Sequence, residues 1–262
     1  MKQLTTFLRK ELLYTIRTGR LLILTILFIL FGVMSPAIAK LTPWLMEMMS
    51  DSLAETGIMI TEMEVNALTS WTQFYKNIPI ALIVFILMFS NIMTQEYQRG
   101  TLILIVTKGM KHSAIVIAKG IVLCFLWTAG YWLAFAITYW YNAYFWNNSI
   151  ASNIGFSAAS FYLLGLWLLS LILLFSVVFT SYSNVLLASG GCFLTVYLLG
   201  LFPKLENYLP VKLLQCTNLL FEGSSRPDYY YAVGITLVLC VVNITASILA
   251  FNRRTRLKAA SQ

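Results

Sequence analysis

Six long apolar runs constrain this chain more than any other feature of its sequence. They fall at about 21–39, 78–93, 114–141, 156–180, 185–202 and 230–251, and none carries an acidic residue near its middle. A helix needs about 20 predominantly apolar residues to cross the hydrocarbon layer of a bilayer. The runs are unbroken rather than alternating, which selects helices over a strand barrel. Composition agrees. Of the 262 residues, 59% are hydrophobic and 11% are charged, and the mean hydropathy is +0.78. A soluble domain carries about 25% charged residues, so this chain has too little charge to cover a water-facing surface. The expectation is an all-α integral membrane protein. An N-terminal amphipathic interfacial helix occupies 1–20, a six-span transmembrane domain occupies 21–251, and a basic tail occupies 252–262.

The first segment has Leu4, Phe7, Leu8, Leu12 and Ile16 at three- and four-residue spacing, with Lys2, Arg9, Lys10, Arg17 and Arg20 largely between them. An apolar stripe beside a basic face suits the headgroup layer, and it equally suits packing on a partner protein. The apolar run that follows lacks a small-x-small cleavage site and does not read as a removable signal. Lys40–Lys76 and Pro203–Tyr229 read as polar loops, with a short interfacial helix near Leu45–Leu53 and Pro79 opening the second span. Six spans place both ends of this sequence on one side. That side collects 13 of the 18 basic residues and two acids, Glu11 and Glu96, while the opposite side takes eight of the ten acids. Short loops rich in Lys and Arg stay cytoplasmic, so both termini are expected in the cytoplasm and the chain in a bacterial plasma membrane. The net charge of +8 is gathered at span ends, where it sets orientation; nucleic acid is not an expected partner, whereas the lipid bilayer is.

No catalytic constellation stands out. One histidine leaves no His-pair metal site, and the four cysteines form no paired cluster. No phosphate-binding P-loop occurs, so the chain is not expected to hydrolyse nucleotide or to bind a cofactor or metal itself. Proton- or ion-coupled carriers keep an ionisable group at mid-membrane, and the spans hold no acid there. Transport by this chain would draw its energy from another subunit.

Four further features stand out. Residues 91–120 leave one apolar run, pass Glu96 and Arg99, then a six-residue apolar piece too short to span, then a basic turn with Lys108, Lys111 and His112. A carboxylate at Glu96 can favour the following helix start or pair with a basic residue, and Lys119 is placed to snorkel toward the headgroups. Trp127, Tyr131, Phe135 and Tyr139 recur every four residues and share one helix face. They read either as packing and an interfacial aromatic belt or as a wall of a translocation path. Gly190 and Gly191 offer close helix approach, within one chain or across a dimer axis. Ser181 and Asn184 lie in a tight turn between the fourth and fifth runs.

The order of these parts resembles the permease subunits of type-2 ABC transporters, mostly small bacterial exporters. The motif that carries the resemblance is Glu96, then Gly100-Thr101-Leu102, an apolar stretch over Leu104-Ile105-Val106, a basic turn over 107–112, and Ile115-Val116-Ile117-Ala118-Lys119 at the start of the third span. It covers about 25 residues, whereas the layout covers the whole chain. The proline that such permeases carry before the basic residue of the turn is replaced by Gly109-Met110. The resemblance implies a coupling helix over Arg99–Val106 that docks on a separate nucleotide-binding ATPase. Glu96, Arg99, Gly100, Thr101, Leu102, Lys108 and Lys111 would serve that contact, and Ser181 and Asn184 a second, smaller one. It further implies two permeases and two ATPases, ATP and Mg held by the partner subunit, and a substrate path between permeases, with an amphipathic or antimicrobial peptide or a drug as cargo. The competing class is a non-transporting membrane scaffold or sensor.

Overall fold

The computed structural model describes residues 2–55, 65–101, 112–221 and 226–260. Among them are nine α-helices: α1 (Lys2–Arg17), α2 (Arg20–Glu55), α3 (Ala67–Phe89), α4 (Thr94–Gln98), α5 (His112–Phe145), α6 (Ile154–Val178), α7 (Tyr182–Leu199), α8 (Pro203–Glu206) and α9 (Pro227–Ala260). Two 3-10 segments cover Asn148–Ile150 and Pro210–Leu220. Six helical stretches are long and apolar enough to cross a membrane: Arg20–Leu45, Ala67–Gln98, Ser113–Phe145, Ile154–Val178, Tyr182–Leu199 and Pro227–Arg253. The chain is a multi-pass membrane protein by this measure.

The first two spans depart from the sequence expectation. The apolar run was expected to give way to a loop at Lys40, yet α2 continues through Pro36 and Pro43 to Glu55. A proline inside a helix leaves the carbonyl four residues earlier without its donor. For Pro36 that carbonyl is Gly32, and the Thr138 hydroxyl of α5 lies 2.9 Å from it. The same hydroxyl lies 3.1 Å from the Ala134 carbonyl, so its single proton serves either acceptor. A neighbouring helix thus takes up the group that proline frees, and the helix runs on. Likewise Pro79 does not open α3 but sits inside it. The helix starts twelve residues earlier at Ala67, where the Asn66 side chain accepts from the Thr69 amide at 3.1 Å. An Asn N-cap of this kind is a strong start signal, and the buried Trp71, Phe74 and Tyr75 that follow draw the segment into the core.

α6 is the central helix, with 72% of its span buried, against 11% for α7. Around it pack α5, α9 and the 3-10 segment Pro210–Leu220. The core is aromatic. Trp127 sits 5.9 Å from Phe28, 5.7 Å from Phe85 and 5.4 Å from Tyr131, and Tyr131 stacks on Phe161 at 6.0 Å. Gly165 makes this cluster fit, because a side-chain carbon at that position would fall within the indole of Trp127. The second supposed polar loop is also part of the core. Leu213, Cys216, Leu219 and Leu220 are fully buried. Ser157 donates to the Cys216 carbonyl at 2.7 Å, and Tyr229 donates to that of Gln215 at 2.9 Å. A loop brought inward this way needs its carbonyls satisfied by side chains, and these two hydroxyls do so.

Candidate functional site

The most distinctive polar constellation lies where α1, α4 and the start of α5 meet. Four charged side chains close a ring. Lys10 Nζ reaches Glu96 Oε1 at 2.9 Å and Glu11 Oε1 at 3.0 Å, while Lys119 Nζ reaches Glu11 Oε2 at 3.1 Å and Glu96 Oε2 at 3.3 Å. Each carboxylate bridges both ammonium groups through separate oxygens. Lys119 also donates to the Ile92 carbonyl at 2.9 Å. The 3.3 Å approach to Glu96 Oε2 is an ionic contact rather than a directed hydrogen bond, since no donor is aimed at that oxygen.

The ring has a dry side and a wet side. The Lys119 side chain is 2% exposed and that of Lys10 is 49% exposed. Burying an ammonium costs several kcal/mol unless it is paired, so Lys119 does not snorkel outward as expected; two converging carboxylates and a carbonyl hold it inside. On the wet side, burial works to lower the Lys10 pKa. The hydrogen bond to Glu96 and the charges of Glu11 and Glu96 outweigh it, and the ammonium ends above its ordinary value.

Local sequence explains the placement. Glu11 falls on the buried face of α1 with Phe7 and Thr15, each at a helical spacing of four. Phe7 joins Met93, Val116, Leu173, Val177 and Phe251 in a small second core that seats α1 against α5, α6 and α9. α4 follows a turn at Ser90–Met93 and ends before Gly100, whose φ of +67° is the left-handed conformation that glycine adopts freely.

The same end of the bundle holds the Ser181 turn. Tyr97 of α4 donates to the Val177 carbonyl and Gln98 to that of Thr180, both at 3.4 Å, while Tyr182 donates to the Leu87 carbonyl at 3.2 Å. α4, which carries Glu96 and leads into Arg99, Gly100 and Thr101, is therefore tied to the chain on either side of Ser181, although the sequence separates the two segments by some eighty positions. Leu102, Lys108 and Lys111 lie outside the described residues.

The aromatic stripe is divided. Trp127 and Tyr131 are fully buried, donating to the carbonyls of Tyr162 at 3.2 Å and Ala158 at 2.9 Å. Phe135 packs against the core from its edge, and Tyr139 is 44% exposed. Within the single chain these two rings are enclosed by their neighbours. Gly190 and Gly191 lie on the open side of α7, where a side-chain carbon would meet nothing within 4 Å. Among the described residues they serve no close helix approach within the protomer. Among the described residues, no three His, Cys, Asp or Glu side chains gather as a metal site would require. Sequence reasoning named Glu96 and Lys119 but missed Lys10 and Glu11 as members of this site; the signal was an acid on the apolar face of an otherwise basic amphipathic helix.

Comparison of the chain with models of protein families, with curated proteins and with solved structures gives no match.

Proposed function

We propose that this chain is the membrane subunit of an ATP-driven exporter, acting as a dimer and coupled to a separate ATPase subunit that holds ATP and Mg. The observation that carries the reading is the convergence of α4 and the Ser181 turn on one end of the bundle, clamped by Tyr97, Gln98 and Tyr182. A soluble partner docking there would touch both at once. The charged ring then gives the docking surface a mechanical connection, since Glu96 ties α4 to α1 through Lys10 and to α5 through Lys119. A push on α4 would move the amphipathic helix and a span together, because Glu96 bridges the ammonium groups of both. This end would face the cytoplasm of a bacterium.

The open side of α7, with Gly190 and Gly191, is the face we assign to the second copy. Small residues are favoured where helices associate in lipid. The cargo path would run between the two copies, and an amphipathic peptide or a drug is the proposed cargo.

The test is affinity purification of the chain from its native membrane with vanadate-sensitive ATPase activity measured in the eluate. Asn184→Trp adds bulk at an exposed position, and Gly100→Trp adds bulk while also straining the left-handed backbone there; neither replaces a member of the charged ring. A co-purifying ATPase whose association both substitutions weaken is the expected result. A chain recovered without an ATPase after gentle solubilisation would overturn the proposal in favour of a scaffold or sensor.

A further inference from the structure

We propose that the cleft beside the charged ring binds the phosphate of an anionic phospholipid. The cleft has a volume of about 350 Å³ and is lined by Lys10, Glu11, Tyr14, Arg20, Phe89, Ile92, Gln95, Glu96, Arg99 and Lys119 among others. Its charges do not balance. The ring consumes Lys10, Lys119, Glu11 and Glu96 as two cations against two anions. Arg20 and Arg99 remain, and among the described residues neither has a carboxylate partner.

Both guanidinium groups are nevertheless positioned. Arg20 lies 5.8 Å from the Tyr14 ring centre and 5.9 Å from that of Phe89. Tyr14 Oη donates to the Gln95 side-chain oxygen at 3.0 Å, and with the amide turned over, so that its nitrogen meets Tyr14, its oxygen accepts from both terminal nitrogens of Arg99 at 2.8 and 3.3 Å. A Tyr14–Gln95 bridge thus stands between the two arginines and steadies both. Two guanidinium groups lining one cleft offer N–H donors and positive charge to the oxygens of a phosphate.

The surroundings select a lipid as the source of that phosphate. Phe89, Ile92 and Val122 give the cleft an apolar floor. Directly beyond Arg20, the first turns of α2 expose Leu22, Ile23 and Ile26 at 64%, 53% and 56%. A headgroup held by the arginines would therefore leave its acyl chains against an apolar helix face. One wall of the cleft is α1, the amphipathic helix, whose place is the headgroup layer. Basic pockets at this depth are the usual receptors of anionic headgroups.

This inference stands apart from the exporter proposal, because its test uses the purified full-length chain alone. Thermal unfolding in neutral detergent is followed with dioctanoyl phosphatidylglycerol, dioctanoyl phosphatidylcholine or inorganic phosphate. The expected result is a saturable rise in Tm with phosphatidylglycerol only. Arg20→Gln with Arg99→Gln should weaken that binding by roughly tenfold or more per guanidinium removed. Arg9→Gln with Arg17→Gln, on the exposed face of α1 and outside the cleft, should leave it unchanged. Each variant is checked for a single folded species by size exclusion. If the first pair fails that check, Arg20→Lys with Arg99→Lys keeps the charge, loses the fork and should still bind more weakly than the wild type. Equal stabilisation by phosphatidylcholine, equal loss in the Arg9/Arg17 variant, or unchanged binding in the variants of Arg20 and Arg99 would each overturn the site. Inorganic phosphate that binds as tightly as the lipid would overturn the assignment to a headgroup.

Discussion

Replacing Lys119 by Met isolates the energetic role of the buried ring. In the wild type, two ammonium groups face two carboxylates, and the central cation is 2% exposed. Lys119→Met leaves Glu11 and Glu96, whose side chains are 9% and 12% exposed, sharing Lys10 alone. One negative charge is then buried without compensation, and the Ile92 carbonyl loses its Lys119 donor. Removing one partner from a buried pair costs about 3–5 kcal/mol. For a chain of this size, about 2–4 °C of Tm corresponds to each kcal/mol, so a fall on the order of 10 °C is expected. The decisive comparison is the double substitution Glu11→Gln with Lys119→Met, which removes one charge of each sign and leaves the pair Lys10–Glu96 neutral. It should be more stable than Lys119→Met alone, with a coupling energy of about 2 kcal/mol or more between the two sites. The assay is reversible unfolding of the detergent-solubilised protein by SDS titration, with Tm as a second readout. A cost below about 1 kcal/mol for Lys119→Met, or strict additivity of the two substitutions, would refute a closed ring and show that the groups are independently solvated.

Other outcomes follow from the packing and the loops. Gly165→Val should destabilise by about 1–3 kcal/mol through overpacking against the Trp127 indole, whereas Gly190→Leu should leave the protomer's stability within about 0.5 kcal/mol of wild type and lower the dimer fraction in crosslinking; the reverse pattern would contradict the placement of both glycines. Cys216 should resist maleimide at pH 8 in the folded protein and label fully in SDS, because burial pushes its thiol up to about 12 and closes access to it; rapid labelling in the native state would show the Pro210–Leu220 segment to be open. Glu206 is held below the ordinary carboxylate range, chiefly by the 2.6 Å hydrogen bond from Lys212. A lowered folded-state pKa adds stability above the unfolded-state value of about 4.3 that is lost as pH falls through the folded value. Glu206→Gln should therefore flatten the decline in Tm between about pH 5 and pH 3, and an unchanged acid profile would show that pair to be solvent-screened.

The sequence by itself determined the class of the protein and the number of its candidate spans. Apolar runs near bilayer length leave a backbone only one inexpensive solution, the helix, and that holds whatever the helices later touch. It also marked Glu96 and Lys119, because charges beside apolar runs are conspicuous. Where the spans begin and end was decided by tertiary structure. A proline such as Pro36 can kink or end a helix, but Thr138 on another helix supplies a donor to the Gly32 carbonyl and the helix continues. Residues 203–229 read as a polar loop, yet hydroxyls of Ser157 and Tyr229 satisfy carbonyls in the Pro210–Leu220 segment and allow it to be buried. The aromatic period of α5 fixed which residues share a face, and only the neighbouring helices decided that Trp127 and Tyr131 turn inward while Tyr139 does not. The ring itself joins residues at positions 10, 11, 96 and 119, and no local pattern encodes that meeting. Pairing energies arise from distances that the chain acquires only when α1, α4 and α5 have packed, so the site became legible only in the fold.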